Sequence, residues 1–184
     1  MALLIPIVLG IHQKVRELPR SSPPAHILSV EILKVVTAFT VAHSVTLVLA
    51  TLELIVLPVR LVESVIALSV AVSGLNIIFP FLRRYHWQMA FVFGLIHGFG
   101  FAGVLSDLSL PAGLFFGSLL GFNLGVEIGQ LCIVLVLVPL LLVLGSRASS
   151  RRSTLIVSGI VISVFGLAWL AERSLGLTVP FMVV

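Results

Sequence analysis

Residues 112–145 read AGLFFGSLLGFNLGVEIGQLCIVLVLVPLLLVLG, an apolar run with a single charged side chain, Glu127. A spanning helix needs about 20 such residues at about 1.5 Å each, so a straight helix here would measure about 50 Å and must tilt, break or protrude. Four other stretches are also long enough to cross: about 31–57, 59–82, 87–106 and 154–172. A further one, 1–11, reaches only about 16 Å, half of the hydrocarbon core. The pattern predicts an all-α polytopic transmembrane helical bundle, five full spans plus a short N-terminal hydrophobic segment, in one integral-membrane domain over 1–184.

Composition agrees with this. Of 184 residues, 59% are hydrophobic and 10% charged, and the mean hydropathy is +1.26; soluble domains carry about 25% charged residues. So few polar side chains cannot cover a water-soluble core, which excludes a soluble enzyme, a disordered chain and a DNA-binding domain. The net charge of +4 sits in short gaps between apolar runs rather than in a patch, so the expected partner is the lipid bilayer and not nucleic acid. Cys132 is the single cysteine, which rules out an intramolecular disulfide. The opening MALLIPIVLGI has neither the basic start nor the small-residue cleavage site of a signal peptide.

Basic residues set the direction. Lys14, Arg16, Arg20 and Lys34, then Arg83 and Arg84, then Arg147, Arg151 and Arg152 fall on one side of the spans, with only Arg60 and Arg173 on the other. The positive-inside rule puts the first side in the cytoplasm and the C-terminus outside. Residues 12–30, with Pro19, Pro23 and Pro24, and residues 146–153 read as loops.

Ionisable groups at mid-membrane depth are costly and mark function. His43, His97 and Glu127 each lie near the middle of a different span. The plainer alternative for each histidine is a neutral ring satisfied by one helix–helix hydrogen bond. Around His43, residues Thr37, Thr40, Ser44 and Thr51 fall within about a 120° arc, giving that helix a polar face. Ser69, Ser73 and Asn76 share a face of the second span, where polar glue between helices is the simpler role. Glu63 lies near the outer end of that span. His97 sits inside FGLIHGFGFAG, between Gly94 and Gly98, a GxxxG spacing that admits a neighbouring backbone. On the fourth span Gly113, Gly117, Gly121, Gly125 and Gly129 recur every four residues; this ridge is expected to pack closely, within the molecule or between copies in a homo-oligomer. Asn123, Glu127 and Gln130 lie away from the ridge, so one side packs and the other is polar.

The stretches FTVAHSVTLVLA (39–50), RLVESVIALSV (60–70), FGLIHGFGFAGVL (93–105) and GFNLGVEIGQL (121–131) resemble the HupE/UreJ family of bacterial membrane proteins, in order and without gaps, from about residue 36 to 173. The resemblance implies a multi-pass protein of the inner membrane, with the role of a nickel permease or of an accessory supplying metal to hydrogenase and urease. It places His43, Glu63, His97, Asn123 and Glu127 among the motif positions. One departure stands out. The better-described members carry a His followed by an Asp-His pair in their first helix, whereas the only aspartate here is Asp107. MALLIPIVLG resembles the stretch just after that pair, which implies either a chain start downstream of it or a branch without the first half of that helix.

Imidazole and carboxylate donors suit nickel or cobalt better than calcium or magnesium. The expected site is therefore a weak one of His43, His97 and Glu127, supported by Asn123, Ser44 and Glu63, through which Ni2+ or Co2+ passes as cargo with no permanently bound cofactor. Two other classes compete with it. An intramembrane hydrolase would use His43 or His97 as base with Ser44 or Ser73 as nucleophile, or a metal-activated water. A non-catalytic scaffold would use the polar residues only to join helices.

Overall fold

The computed structural model describes residues 25–82, 85–107, 112–144 and 148–176, and over these the chain forms helices joined by short turns. The helices are α1 (Ala25–Thr51), α2 (Val59–Ile78), α3 (His86–Asp107), α4 (Ala112–Leu144) and α5 (Ala148–Leu175). Among the described residues four of them are long and apolar enough to cross a membrane by length and composition, through Ile32–Thr51, Val59–Ile78, Phe116–Val136 and Leu155–Leu175. The short segment 1–11 lies outside the described residues.

Several expected boundaries move. The first span stops at Thr51 rather than 57, because Glu53 adopts a left-handed φ of 56° and the Leu54 amide turns back to the Leu49 carbonyl at 3.0 Å, closing the helix in the manner usually taken by glycine. The second ends at Ile78, where Phe79 is extended and Asn76 Oδ1 accepts the Leu82 amide at 2.8 Å. Residues 25–30 and 148–153, read as parts of loops, are helical; the prolines of the first loop stop at Pro24, and the AHILSV that follows is mostly apolar and continues the helix. The long fourth run does not break, but continues as one helix from Ala112 to Leu144.

Hydropathy cannot say which faces meet, since lipid is as apolar as leucine. Small residues decide it instead. Gly94 and Gly98 bring α3 onto α1: a Cβ at Gly94 would crowd Ala42 at 3.0 Å and collide with the Phe39 carbonyl, and one at Gly98 would collide with Thr46 and the His43 carbonyl. Partner numbers rise together, so α1 and α3 run parallel. On the other side of the molecule Gly74, Gly159 and Gly166 join α2 to α5: a Cβ at Gly74 would stand 2.6 Å from the Ser163 nitrogen, and one at Gly166 2.5 Å from the Ala71 nitrogen. There one helix's numbers rise as the other's fall, an antiparallel pair. Gly100 turns the far side of α3 toward Ile66 of α2, so α3 links the two pairs.

The outer flank is α4, which meets α1 through Leu119 against Leu47, with Val48, Ala50 and Phe122 packed around them. Its buried residues Leu119, Gln130 and Val134 form one stripe together with Phe122 and Asn123. The glycine ridge faces the other way: nothing comes within 4 Å of a Cβ at Gly117, Gly121 or Gly125. The expected close packing of that ridge is thus not made among the described residues, because α4 uses its opposite face for α1. Phe116, Leu120 and Leu135 are also exposed, at 69%, 72% and 71%, an apolar surface suited to lipid.

Gly98→Ala should lower the thermal midpoint of the detergent-solubilised protein, at a cost of about 1–3 kcal/mol for forcing a methyl group into packed backbone. Gly121→Ala should leave it within about 0.5 kcal/mol of the wild type, as for an open surface position.

Candidate functional site

His43 is 1% exposed and sits among three phenylalanine rings. Phe39 lies nearly parallel to it at 5.9 Å and 10°. Phe122 of α4 does so at 6.3 Å and 22°, and Phe101 of α3 meets it edge-on at 5.8 Å. Both of its ring nitrogens are buried without a hydrogen-bond partner. A neutral imidazole carries one N–H and one lone pair, and leaving a buried polar atom unmet costs about 1–3 kcal/mol. The helix–helix hydrogen bond that the plainer, purely structural alternative required is not made by His43 among the described residues.

His97 approaches the same place from α3. Its ring meets Phe39 edge-on at 5.4 Å, so both histidines contact one phenylalanine. The Nδ1 atom lies 2.7 Å from the Phe93 carbonyl. A carbonyl only accepts, so Nδ1 carries the proton and Nε2 is left with its lone pair, the arrangement of a metal-ligating or proton-accepting histidine. Both histidines are on glycine-lined backbone: Gly98 adjoins His97 in the chain and lies against the His43 carbonyl. The close approach of α3 to α1 is what brings the two imidazoles to one phenylalanine.

The third wall comes from α4. The Ser44 hydroxyl donates toward Asn123 Oδ1 at 2.8 Å and toward the Thr40 carbonyl at 2.7 Å, while Asn123 Nδ2 donates to the Leu119 carbonyl at 3.0 Å. Ser44 and Asn123 therefore set the register of α4 on α1. Glu127, half-buried, stands one turn beyond Asn123 on α4. Among the described residues no three of His, Cys, Asp and Glu gather closely enough to share a metal ion. The structure brings His43 and His97 together and places Glu127 on the adjoining helix, without uniting the three.

Glu63 is elsewhere. Its Oε2 lies 3.4 Å from Arg173 Nη1 at the far end of α2 and α5, where Arg60 Nε also donates to the Arg173 carbonyl at 2.9 Å and Arg60 Nη2 to the Ser174 carbonyl. This group ties the start of α2 to the end of α5. Neither candidate nucleophile meets a histidine: Ser44 is bonded to Asn123 and the Thr40 carbonyl, and Ser73 donates to the Ser69 carbonyl of its own helix at 2.7 Å.

Sequence reasoning missed Phe39, Phe101 and Phe122. The signal was present, since Phe39 is one turn before His43, Phe101 one turn after His97, and Phe122 adjoins Asn123. Aromatic residues are too common in apolar spans for that spacing to stand out.

No curated protein and no solved structure matches the chain. The family described as HupE / UreJ protein matches over residues 8–173, which takes in both histidines, the Ser44–Asn123 contact, Glu127 and the ion pair of Glu63 with Arg173. A multi-helix protein with spans of membrane length, whose mid-span histidines and α4 polar stripe fall inside that match, belongs to the HupE/UreJ family.

Proposed function

We propose that the chain is a permease for a divalent transition metal ion, nickel or cobalt, in the bacterial inner membrane, with the basic loops in the cytoplasm and the C-terminus outside. The observation that carries this reading is the state of the two histidines. His43 holds two buried nitrogens with no partner, and His97, turned by its bond to the Phe93 carbonyl, offers Nε2. Imidazole nitrogen is the donor that suits Ni2+ and Co2+. A core histidine kept only for packing would have been satisfied or replaced by an apolar residue, since the cost of an unmet polar group is the same whatever the reason for it.

Two nitrogens make a weak site, and transport needs one. Conduction requires binding strong enough to admit the ion and weak enough to release it. Glu127, Asn123 and Ser44 supply oxygen donors on the α1–α4 side, and Glu127 offsets the charge of a divalent ion once it is present. The phenylalanines around His43 exclude bulk water. They leave the imidazole as the polar feature that a desolvated ion meets at that depth. Glu63 is already paired with Arg173, so its supporting role is to hold the outer end of α2 and α5.

Proteoliposomes holding the wild type should take up radiolabelled nickel saturably, and His97→Ala should abolish most of that uptake while the protein remains folded by size-exclusion elution. Equal uptake in both would remove the histidines from the pathway. Orientation is checked separately: alkaline phosphatase fused after residue 175 should be active in intact bacterial cells, and the same enzyme fused between residues 83 and 84 inactive. The reverse pattern would place the basic loops outside.

A further inference from the structure

The contacts that fix α4 on α1 also fix the seam below them. Leu47 meets Leu119, and one turn back Ser44 meets Asn123 and His43 meets Phe122, so a turn back along α1 is matched by a turn forward on α4. Continuing that antiparallel register by one turn sets Thr40 opposite Glu127, and by a second sets Thr37 opposite Gln130. Thr37, Thr40 and Ser44 share one stripe of α1, while Asn123, Glu127 and Gln130 lie along the stripe of α4 marked by buried Leu119 and Val134. Two turns descend about 10 Å.

These are not idle hydroxyls and amides. Thr40 Oγ1 and Gln130 Oε1 are buried with no hydrogen-bond partner, and Gln130 is only 6% exposed. A seam built purely to join two helices would use its polar atoms on each other, as Ser44 and Asn123 do, because an unmet buried oxygen is costly. The lowest step reaches Thr37, which is exposed and lines a mainly apolar groove of about 550 Å³ formed by α1 and α3, with Val30, Leu33, Lys34, Ala38 and Trp87, on the side that the basic loops assign to the cytoplasm.

We propose that the α1–α4 seam is the release path of the permease, a ladder of oxygen donors in which Thr40 and Gln130 take the ion from the histidine pair toward the groove at Thr37. The inference rests on the permease reading. Its chemistry is a change of donor type along the path. Imidazole nitrogens hold a borderline divalent ion better than hydroxyl, carboxylate and carboxamide oxygens do, so an ion leaving His43 and His97 meets donors that bind it less tightly and resemble its own hydration shell. Spaced weak sites of this kind let an ion move on rather than remain.

The test separates binding from release. In the double variant Thr40→Val, Gln130→Leu, each replacement keeps approximate shape and loses the oxygen. Equilibrium binding of Ni2+ to the detergent-solubilised double variant should match the wild type, while nickel uptake into proteoliposomes should fall about tenfold, the consequence of losing one or two weak contacts on the exit barrier. Wild-type uptake in the double variant overturns the inference, and so does a parallel loss of binding and uptake, which would make these oxygens part of the histidine site. If the wild type itself takes up no nickel, the permease reading fails and the release path falls with it. A second measurement covers a double variant that does not fold. On a Cys132→Ser background, Thr40→Cys should react with a water-soluble maleimide and be protected by Ni2+, whereas Val41→Cys, on the exposed neighbouring face, should show no protection. An unreactive Thr40→Cys overturns the proposal.

Discussion

At Gly98 the missing side chain lets α3 approach α1 so closely that a Cβ would strike the His43 carbonyl and Thr46. Everything at the site depends on that approach. It brings His97 and His43 to the same ring, Phe39, and it holds Phe101 edge-on to His43. In lipid there is no hydrophobic gain from burying one apolar face rather than another, so dispersion at short range and a few polar contacts must select the pairing. Gly94 and Gly98 supply the short range on one side of the molecule, and Gly74, Gly159 and Gly166 supply it on the other.

The same physics explains how much could be read from the sequence. Long apolar runs with basic residues between them identify helices of membrane length, because the bilayer demands about 20 residues per span. His43, His97, Ser44 and Asn123 could be singled out because polar groups are scarce in such runs. The pairing of helices was less accessible. The most regular pattern in the chain, the glycine every four residues on α4, faces open space, while the working glycine pairs occur at Gly94 with Gly98 and at Gly74 with Gly159. Spacing tells which residues share a face, but not which neighbour that face meets. Glu63 shows the same limit, since its partner Arg173 is distant in sequence. Helix ends were misplaced where the chain used a left-handed Glu53 in a position for which glycine is the recognisable sign.

The two polar centres differ in what they are free to do. Where α2 begins and α5 ends, Arg60, Glu63 and Arg173 are engaged with one another and with backbone carbonyls, although Arg173 Nε is left without a partner. Near mid-span, the polar atoms of α1 and α4 are only half engaged. Ser44 and Asn123 bond and set the register, while His43 and, one turn from Ser44 on the same helix, Thr40 remain without partners. A protein that needed these groups for stability alone would gain by satisfying or removing them, as it has satisfied Thr46, whose hydroxyl donates back to the Ala42 carbonyl at 3.1 Å.

Donor atoms are also divided by how firmly their helices are held. The histidines belong to α1 and α3, locked by glycine contacts along two turns. The oxygens of Asn123, Glu127 and Gln130 belong to α4, which touches α1 through Leu119, Phe122 and one interhelical hydrogen bond and leaves its glycine face uncovered. In the proposed permease, a nitrogen pair on a fixed frame sets where the ion is recognised. In the same proposal, an oxygen row on a lightly packed helix adapts to an ion that keeps part of its water. In the proposed permease, recognition at the rigid pair and passage along the softer seam therefore fall to different helices, divided by the distribution of small residues.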